Sequence, residues 1–270
     1  MQAVQPKPLD FVPRTLLSVI RRTPLNRGPF RRVIMKAFKK YIDHPVVTDF
    51  RGVPFILHMD NTTETKALFG HYNLEELAFL AAGIAGKDDP VFVDLGANCG
   101  FYTQNFLGHG RGRVLAIEPN PAMCVRIEEN HALLRQERTD NAAALLLERC
   151  AVGDERGEVN LDLKSGFGAA NVVDRASATT ITVPVALLTD VLAKHGIASI
   201  DVLKIDIEGY EDKALMPFFA TAPAALYPRR IIIEYTSGEA WSGDLMGLLK
   251  EKGYAEQGRT RGNLLLALQG

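Results

Sequence analysis

A chain of 270 residues, 47% hydrophobic and 23% charged, can bury a large core and needs no disulfide or metal staple. Its three cysteines, Cys99, Cys124 and Cys150, have neither metal-ligand spacing nor the even number of a disulfide framework, and no apolar run reaches the roughly 18 residues of a membrane span. With no secretory signal pattern at the N-terminus, the expectation is a reduced, cytoplasmic protein whose net charge of −1 hides a strong asymmetry.

Residues 1–45 are predicted to form a basic helical extension, and residues 46–270 the main domain. Residues 1–40 hold ten Lys/Arg against one acid, Asp10, while the remainder holds 21 bases against 31 acids. Leu16, Leu17, Val19 and Ile20, then Val33, Ile34, Ala37 and Phe38, recur at helical spacing among the arginines, and Pro24 and Pro29 separate the two segments. Such a flank either docks on the acidic remainder, stays solvated, or meets a polyanion: an anionic membrane surface, a nucleotide-sugar or a glycan.

Residues 46–60 read as a β-hairpin turning at Arg51-Gly52. Residues 62–82 read as helical in two parts, the second opened by a capping box of Asn73 and Glu76. Strands and helices then alternate. VFVDLG precedes a helix near 100–108, RVLAIE a helix from Pro121 to Leu134, and AALLLERCAV a polar Gly-rich stretch over 153–180 that is expected to form strands and a mobile loop. TITVPVA, SIDVLKIDIE and RRIIIEY each lead into a further helix, and YAEQG with NLLLALQ closes the chain as an antiparallel pair. Continuous apolar strands alternating with helices mean a sheet covered on both faces. The predicted fold is therefore α/β, a doubly wound and mostly parallel seven-stranded sheet of the class I methyltransferase type.

Open α/β sheets bind ligands at the carboxyl ends of their strands. The first core strand ends in Asp94 and breaks into Gly96, Asn98 and Gly100. A nicotinamide fingerprint needs a glycine where Asn98 stands, and no P-loop lysine follows. S-adenosyl-L-methionine has no phosphate; turn N–H groups suit its carboxylate, with Thr103 in the first helical turn within reach. Glu118 ends the next strand, 24 residues after Asp94, where an acid can accept both hydrogen bonds of a ribose diol. Pro119-Asn120-Pro121 holds that acid on a rigid turn with Asn120 beside the cofactor, and Ala151 and Val152 are placed to line the adenine.

DVLKIDIEGYE delivers Asp206, Glu208 and Glu211 to the same edge. Strand periodicity puts Asp206 and Glu208 on one face, where mutual repulsion raises one pKa toward that of a general base, and Lys204 shares the face. Glu234 ends the following strand and completes a set that could alternatively hold a divalent cation. His71 and Tyr72 precede the core and are candidates for the substrate side of the mouth. Trp241 either packs over the sheet end or stacks on a sugar ring.

VDLGANCGFYT, AIEPNP, CAVGD, VPVALLTDVL and DVLKIDIEGYE, in that order over about residues 62–240, resemble the FkbM-type methyltransferase family. The resemblance implies S-adenosylmethionine-dependent O-methylation of a sugar, glycolipid or natural-product hydroxyl, with S-adenosyl-L-homocysteine as product. It carries the first cofactor motif onto Asp94, Gly96, Asn98 and Gly100, the ribose acid onto Glu118, and the acidic motif onto Asp206, Glu208 and Glu211. The family commonly has Tyr-Glu before the first strand; here Tyr72 is followed by Asn73, with Glu75 and Glu76 placed to substitute. The alternatives are a non-catalytic binding protein on the same fold, a membrane-associated assembly protein working through residues 1–40, or another methyl acceptor. Nucleic acid is disfavoured by the acidic remainder, and nitrogen methylation by Asp206-Ile207-Glu208-Gly209 where an Asn/Asp-Pro-Pro-aromatic motif would stand.

Overall fold

The structure, a computed structural model, describes residues 6–23, 28–42, 44–163, 171–173 and 179–269. The chain opens with β1 (Lys7–Pro8), α1 (Phe11–Arg21) and α2 (Gly28–Tyr41), followed by the hairpin β2 (Val46–Phe50) and β3 (Val53–Leu57). Arg51 and Gly52 both take positive φ, 53° and 85°, which matches the right-handed twist of the strands they join. β1 adds to β2 in parallel. The predicted helical stretch divides into α3 (Thr62–Ala67) and α4 (Leu74–Ile84).

The alternating region supplies β4 (Val91–Leu95), α5 (Phe101–Leu107), β5 (Arg113–Ile117), α6 (Pro121–Glu137), β6 (Ala144–Glu148), β7 (Ala151–Val152), β8 (Gly157–Asp162), β9 (Asn171–Val173), β10 (Thr180–Ala186), α7 (Leu188–Lys194), β11 (Val202–Ile205), α8 (Glu211–Thr221), β12 (Arg230–Glu234), α9 (Leu245–Glu251), β13 (Tyr254–Arg259) and β14 (Asn263–Leu268). The main sheet has seven strands in the order β13-β14-β12-β11-β4-β5-β6, in which the β12–β14 and β14–β13 ladders are antiparallel and the others parallel. Its central strands are buried on both faces, which their unbroken apolar runs require. Phe92, Val202 and Ile232 meet α4, α5 and the N-terminal helices; Val93, Leu203, Ile231 and Ile233 meet α7, α8 and α9.

Two expectations are corrected. AALLLERCAV is not one strand. β6 stops at Glu148, and β7 pairs instead with β10 in a second sheet of order β7-β10-β8-β9. TITVPVA therefore leaves the main sheet, for a reason its own sequence contains: Thr182 and Pro184 are exposed while Val183 between them is buried, and this alternation suits a sheet with one wet face. The capping box at Asn73 also does not form. Asn73 is left-handed (φ 49°) and its amide donates to the Tyr102 hydroxyl, while Glu76 accepts from Thr260 and Asn263 at the far end of the chain. The loop predicted within 153–180 falls largely on residues 164–170 and 174–178, outside the described residues.

The hairpin is locked to the core by polar bonds as well as packing. Gln104 on α5 donates to the carbonyls of Pro54 and Asn130, and the Asn130 side chain accepts from the Ile56 amide at 2.7 Å. Arg126 on α6 pairs with Glu64 and Asp60, which brings α3 onto the same framework. The three cysteines are free and buried, and no helix among the described residues is long and apolar enough to cross a membrane.

Gly96 is the tightest point of the sheet edge. It has φ +75°, and a Cβ built there would collide with the Asp206 carbonyl at the end of β11. Gly96→Ala should therefore destabilise the fold by about 3 kcal/mol or more, read as a lower urea midpoint. A variant with the wild-type midpoint would show that β4 and β11 do not approach as closely as described.

Candidate active site

The turn after β4 is built by three left-handed residues, Gly96, Asn98 (φ 52°) and Gly100 (φ 77°). Gly100 opens α5 against Ile127, where a Cβ would come within 2.9 Å. Asp94 lies directly beneath. It is fully buried, one oxygen accepting from the Thr103 amide (3.1 Å) and hydroxyl (2.7 Å) and the other lying 3.8 Å from the Lys204 ammonium. Asp94, Gly100 and Thr103 thus shape the turn from below and do not line the cavity above it.

That cavity, about 630 Å³, runs along the carboxyl edge of the sheet. Gly96, Asn98, Glu118, Asn120, Ala151, Val152, Asp206, Glu208 and Tyr72 all line it. Sequence positions spread over more than half the chain therefore meet in one space.

Glu118 is buried at one side. One oxygen accepts from the Asn98 amide at 2.7 Å and the other from the Asn120 amide at 2.8 Å. Each oxygen retains a lone pair. Burial outweighs these bonds and pushes the carboxyl up to about 7. The Asn98 side chain is held by Asn61, whose amide donates to it at 2.8 Å.

Lys204 lies between the turn and the acids. Its ammonium donates to the Gly96 carbonyl at 2.9 Å and stands 3.6 Å from Asp206. Burial disfavours the charge, but Asp206 and Asp94 outweigh it and hold the ammonium above its ordinary pKa. Asp206 itself remains solvent-accessible on the cavity wall.

Strand periodicity does not place Glu208. β11 ends at Ile205, and Glu208 takes φ 56°, a conformation that costs a residue with a Cβ roughly 1–2 kcal/mol. Strain of this kind collects at functional positions. The Glu208 carboxylate lines the mouth, where partial desolvation and then repulsion from Asp206, Glu234 and Glu211 raise its pKa.

The other two acids are committed elsewhere. Glu211 is fully buried; it accepts from the Ile207 and Gly209 amides and from the Trp241 indole at 2.8 Å, so it ties the 206–210 turn to the loop after β12. Glu234 accepts from the Thr236 amide and hydroxyl and the Ser237 amide. Neither lines the cavity, and no group of three metal-ligating side chains occurs among the described residues. The cation set of Asp206, Glu208 and Glu234 is therefore not assembled. Trp241 packs over the sheet end rather than facing the cavity. His71 is exposed away from the cavity, and neither Glu75 nor Glu76 lines it.

Tyr72 also lines the cavity, packed on Phe101 at 5.1 Å and beneath the Lys66 ammonium at 5.2 Å. Burial raises its hydroxyl pKa. Thr62, Thr63, Lys66 and Met123 also line the space and escaped the sequence reading. Asn61 does carry a signal, since it caps α3 through bonds to the Thr63 and Glu64 amides, but a cap marks where a helix starts and not what it faces.

The strand order, the glycine-broken end of β4 and the acid ending β5 define a class I methyltransferase. The chain belongs to the FkbM methyltransferase family: the profile described as the Methyltransferase FkbM domain matches residues 94–255. A 2-O-methyltransferase, NoeI, of Sinorhizobium fredii (strain NBRC 101917 / NGR234) is 25% identical over 177 residues, covering 59% of this chain and 68% of that protein. The 31-O-demethyl-FK506 methyltransferase FkbM of Streptomyces tacrolimicus is 29% identical over 210 residues, covering 65% and 76%. A methyltransferase FkbM from Methylobacillus flagellatus KT superposes with TM-score 0.45 and 15% identity over 93% of this chain, which spans 62% of its length. The protein is a methyltransferase, and its family implies use of S-adenosylmethionine.

Glu118 gives the site a stability signature. A carboxyl raised from 4.5 to about 7 on folding stabilises the protein fully below its unfolded value, and that contribution is lost as pH rises through about 7. Between pH 8 and pH 5 the wild type should gain on Glu118→Gln by up to about 3 kcal/mol, measured by urea unfolding of both proteins. A difference that does not change with pH would mean that Glu118 ionises normally.

Proposed function

We propose that the chain transfers a methyl group from S-adenosylmethionine to a hydroxyl of a sugar, glycolipid or natural-product acceptor. The observation that carries this reading is the cavity's lining: two acids with no backbone amide bound to them among the described residues, Asp206 and Glu208, together with the tyrosine Tyr72. Carboxylates that can accept from hydroxyls beside an aromatic ring suit a polyol. Both curated relatives bear names that describe O-methylation, which agrees with the reading.

The residues present fit the cofactor. Glu118 offers two buried lone pairs to a diol, Asn98 and the Gly96 turn lie beside it, and Ala151 and Val152 give an apolar flank. The negative charge of Asp206 and Glu208 suits a cationic donor. When bound, the cofactor supplies an electrophilic methyl group. Asp206, anchored by Lys204, orients the acceptor hydroxyl, and Glu208, whose pKa is raised, takes its proton.

Asp206→Asn and Glu208→Gln should each lower methyl transfer by at least about 100-fold while leaving S-adenosylhomocysteine affinity within a few-fold of wild type. The measurements are labelled-methyl transfer to fractionated glycans and lipids, and calorimetric titration. Near-normal turnover by Asp206→Asn would refute the assignment of the acid pair.

A further inference from the structure

We infer that α1 and α2 form a docking surface for a bilayer carrying anionic phospholipid. The basic extension contributes Leu17, Ile20, Phe38 and Ile42 to the core, so it is anchored to the domain. What it leaves outside is unusual. On α2, Phe30 is 62% exposed, Val33 69% and Tyr41 81%. With Ala37 these residues recur at i, i+3, i+7 and i+11, which is one helical stripe. Lys36 and Lys40 flank the stripe and are exposed. On α1, Phe11 is 80% exposed, with Leu16 and Val19 about half so, beside exposed Arg14 and Arg22.

Large apolar side chains set in water beside bases are the pattern of a helix that lies in a membrane interface. The charge argues for a lipid surface over a second copy of the chain. Arg14, Arg22, Lys36 and Lys40 make no ion pair among the described residues. A symmetric contact through these helices would bring like charges together, whereas an anionic bilayer neutralises all of them at once. The acidic remainder, with 31 acids against 21 bases, is repelled by the same surface and so turns the basic end toward it. The inference does not depend on the acceptor of the methyl group.

The test is co-sedimentation of the full chain with vesicles of phosphatidylcholine alone or mixed with phosphatidylglycerol, at low and raised salt. Binding is expected only to the mixed vesicles and should weaken with salt. Lys36→Ala with Lys40→Ala should weaken it roughly thirtyfold. Phe30→Ser with Val33→Ser should abolish the part that survives raised salt, and both pairs should keep the wild-type melting temperature. The salt titration of the unaltered protein tests the inference without any variant. Absent or equal binding to the two vesicle types would overturn it. So would a dimer that Val33→Ser dissociates, or tighter binding to a homopolymeric RNA than to the mixed vesicles.

Discussion

One buried ammonium joins the two halves of the site. Lys204 pairs with Asp94 in the β11–β4 register, and its side chain reaches past that strand end to the Gly96 carbonyl, with Asp206 on its other side. A buried cation costs several kcal/mol unless it is compensated. Here two carboxylates and a carbonyl compensate it, and each of them gains a fixed position in return. The cofactor-side turn is tied to the acceptor-side acid by one side chain, and Gly96 permits this because any Cβ would force the two strand ends apart. Removing the ammonium would leave Asp94 buried with no countercharge in reach among the described residues.

Hydrogen bonding sorts the acids that crowd this edge. Glu234 accepts backbone amides on both oxygens, and Glu211 accepts two amides on one oxygen and the Trp241 indole on the other, so both hold loops. Asp206 and Glu208 accept none among the described residues and line the cavity. Four carboxylates share a negative field, but only these two face a ligand. Cavity access, and not hydrogen bonding, separates Glu118 from Asp94. Glu118 accepts an amide on each oxygen yet lines the cavity, while Asp94 is enclosed beside Thr103 and Lys204. Acids held away from the cavity build the edge, and those that line it are left for chemistry.

This division marks where the sequence stops being legible. Asp94, Glu118 and Asp206 could be found because each follows an apolar run whose end must lie at the sheet edge. The central strands of the main sheet were readable for the same reason, since burial on both faces demands continuous apolar residues. TITVPVA was grouped with the core strands because, like them, it leads into a helix, although its alternation suits a sheet with one wet face. Glu208 could not be placed by a period of two, because the strand ended three residues earlier. Asn73 looked like a cap, yet a bond to Tyr102, 29 residues away, decided its conformation. The roles of Glu211 and Glu234 were hidden because most of their partners are backbone amides, which no side-chain pattern reports.

The N-terminal third bears on the site through aromatic packing. Phe101, which lines the cavity, lies 4.9 Å from Phe50 and 5.8 Å from Phe55 on the hairpin, and it supports Tyr72. Phe38 on α2 meets Phe69 at 6.1 Å, and Arg21 on α1 donates to the Leu68 carbonyl. Leu17, Phe38, Phe50, Phe69 and Phe101 belong to one buried cluster. Close-packed interiors transmit displacement because they have little free volume to absorb it. The Tyr72 wall is therefore held by the same cluster that anchors α1 and α2 and that takes in Phe92, Val202 and Ile232 of the sheet.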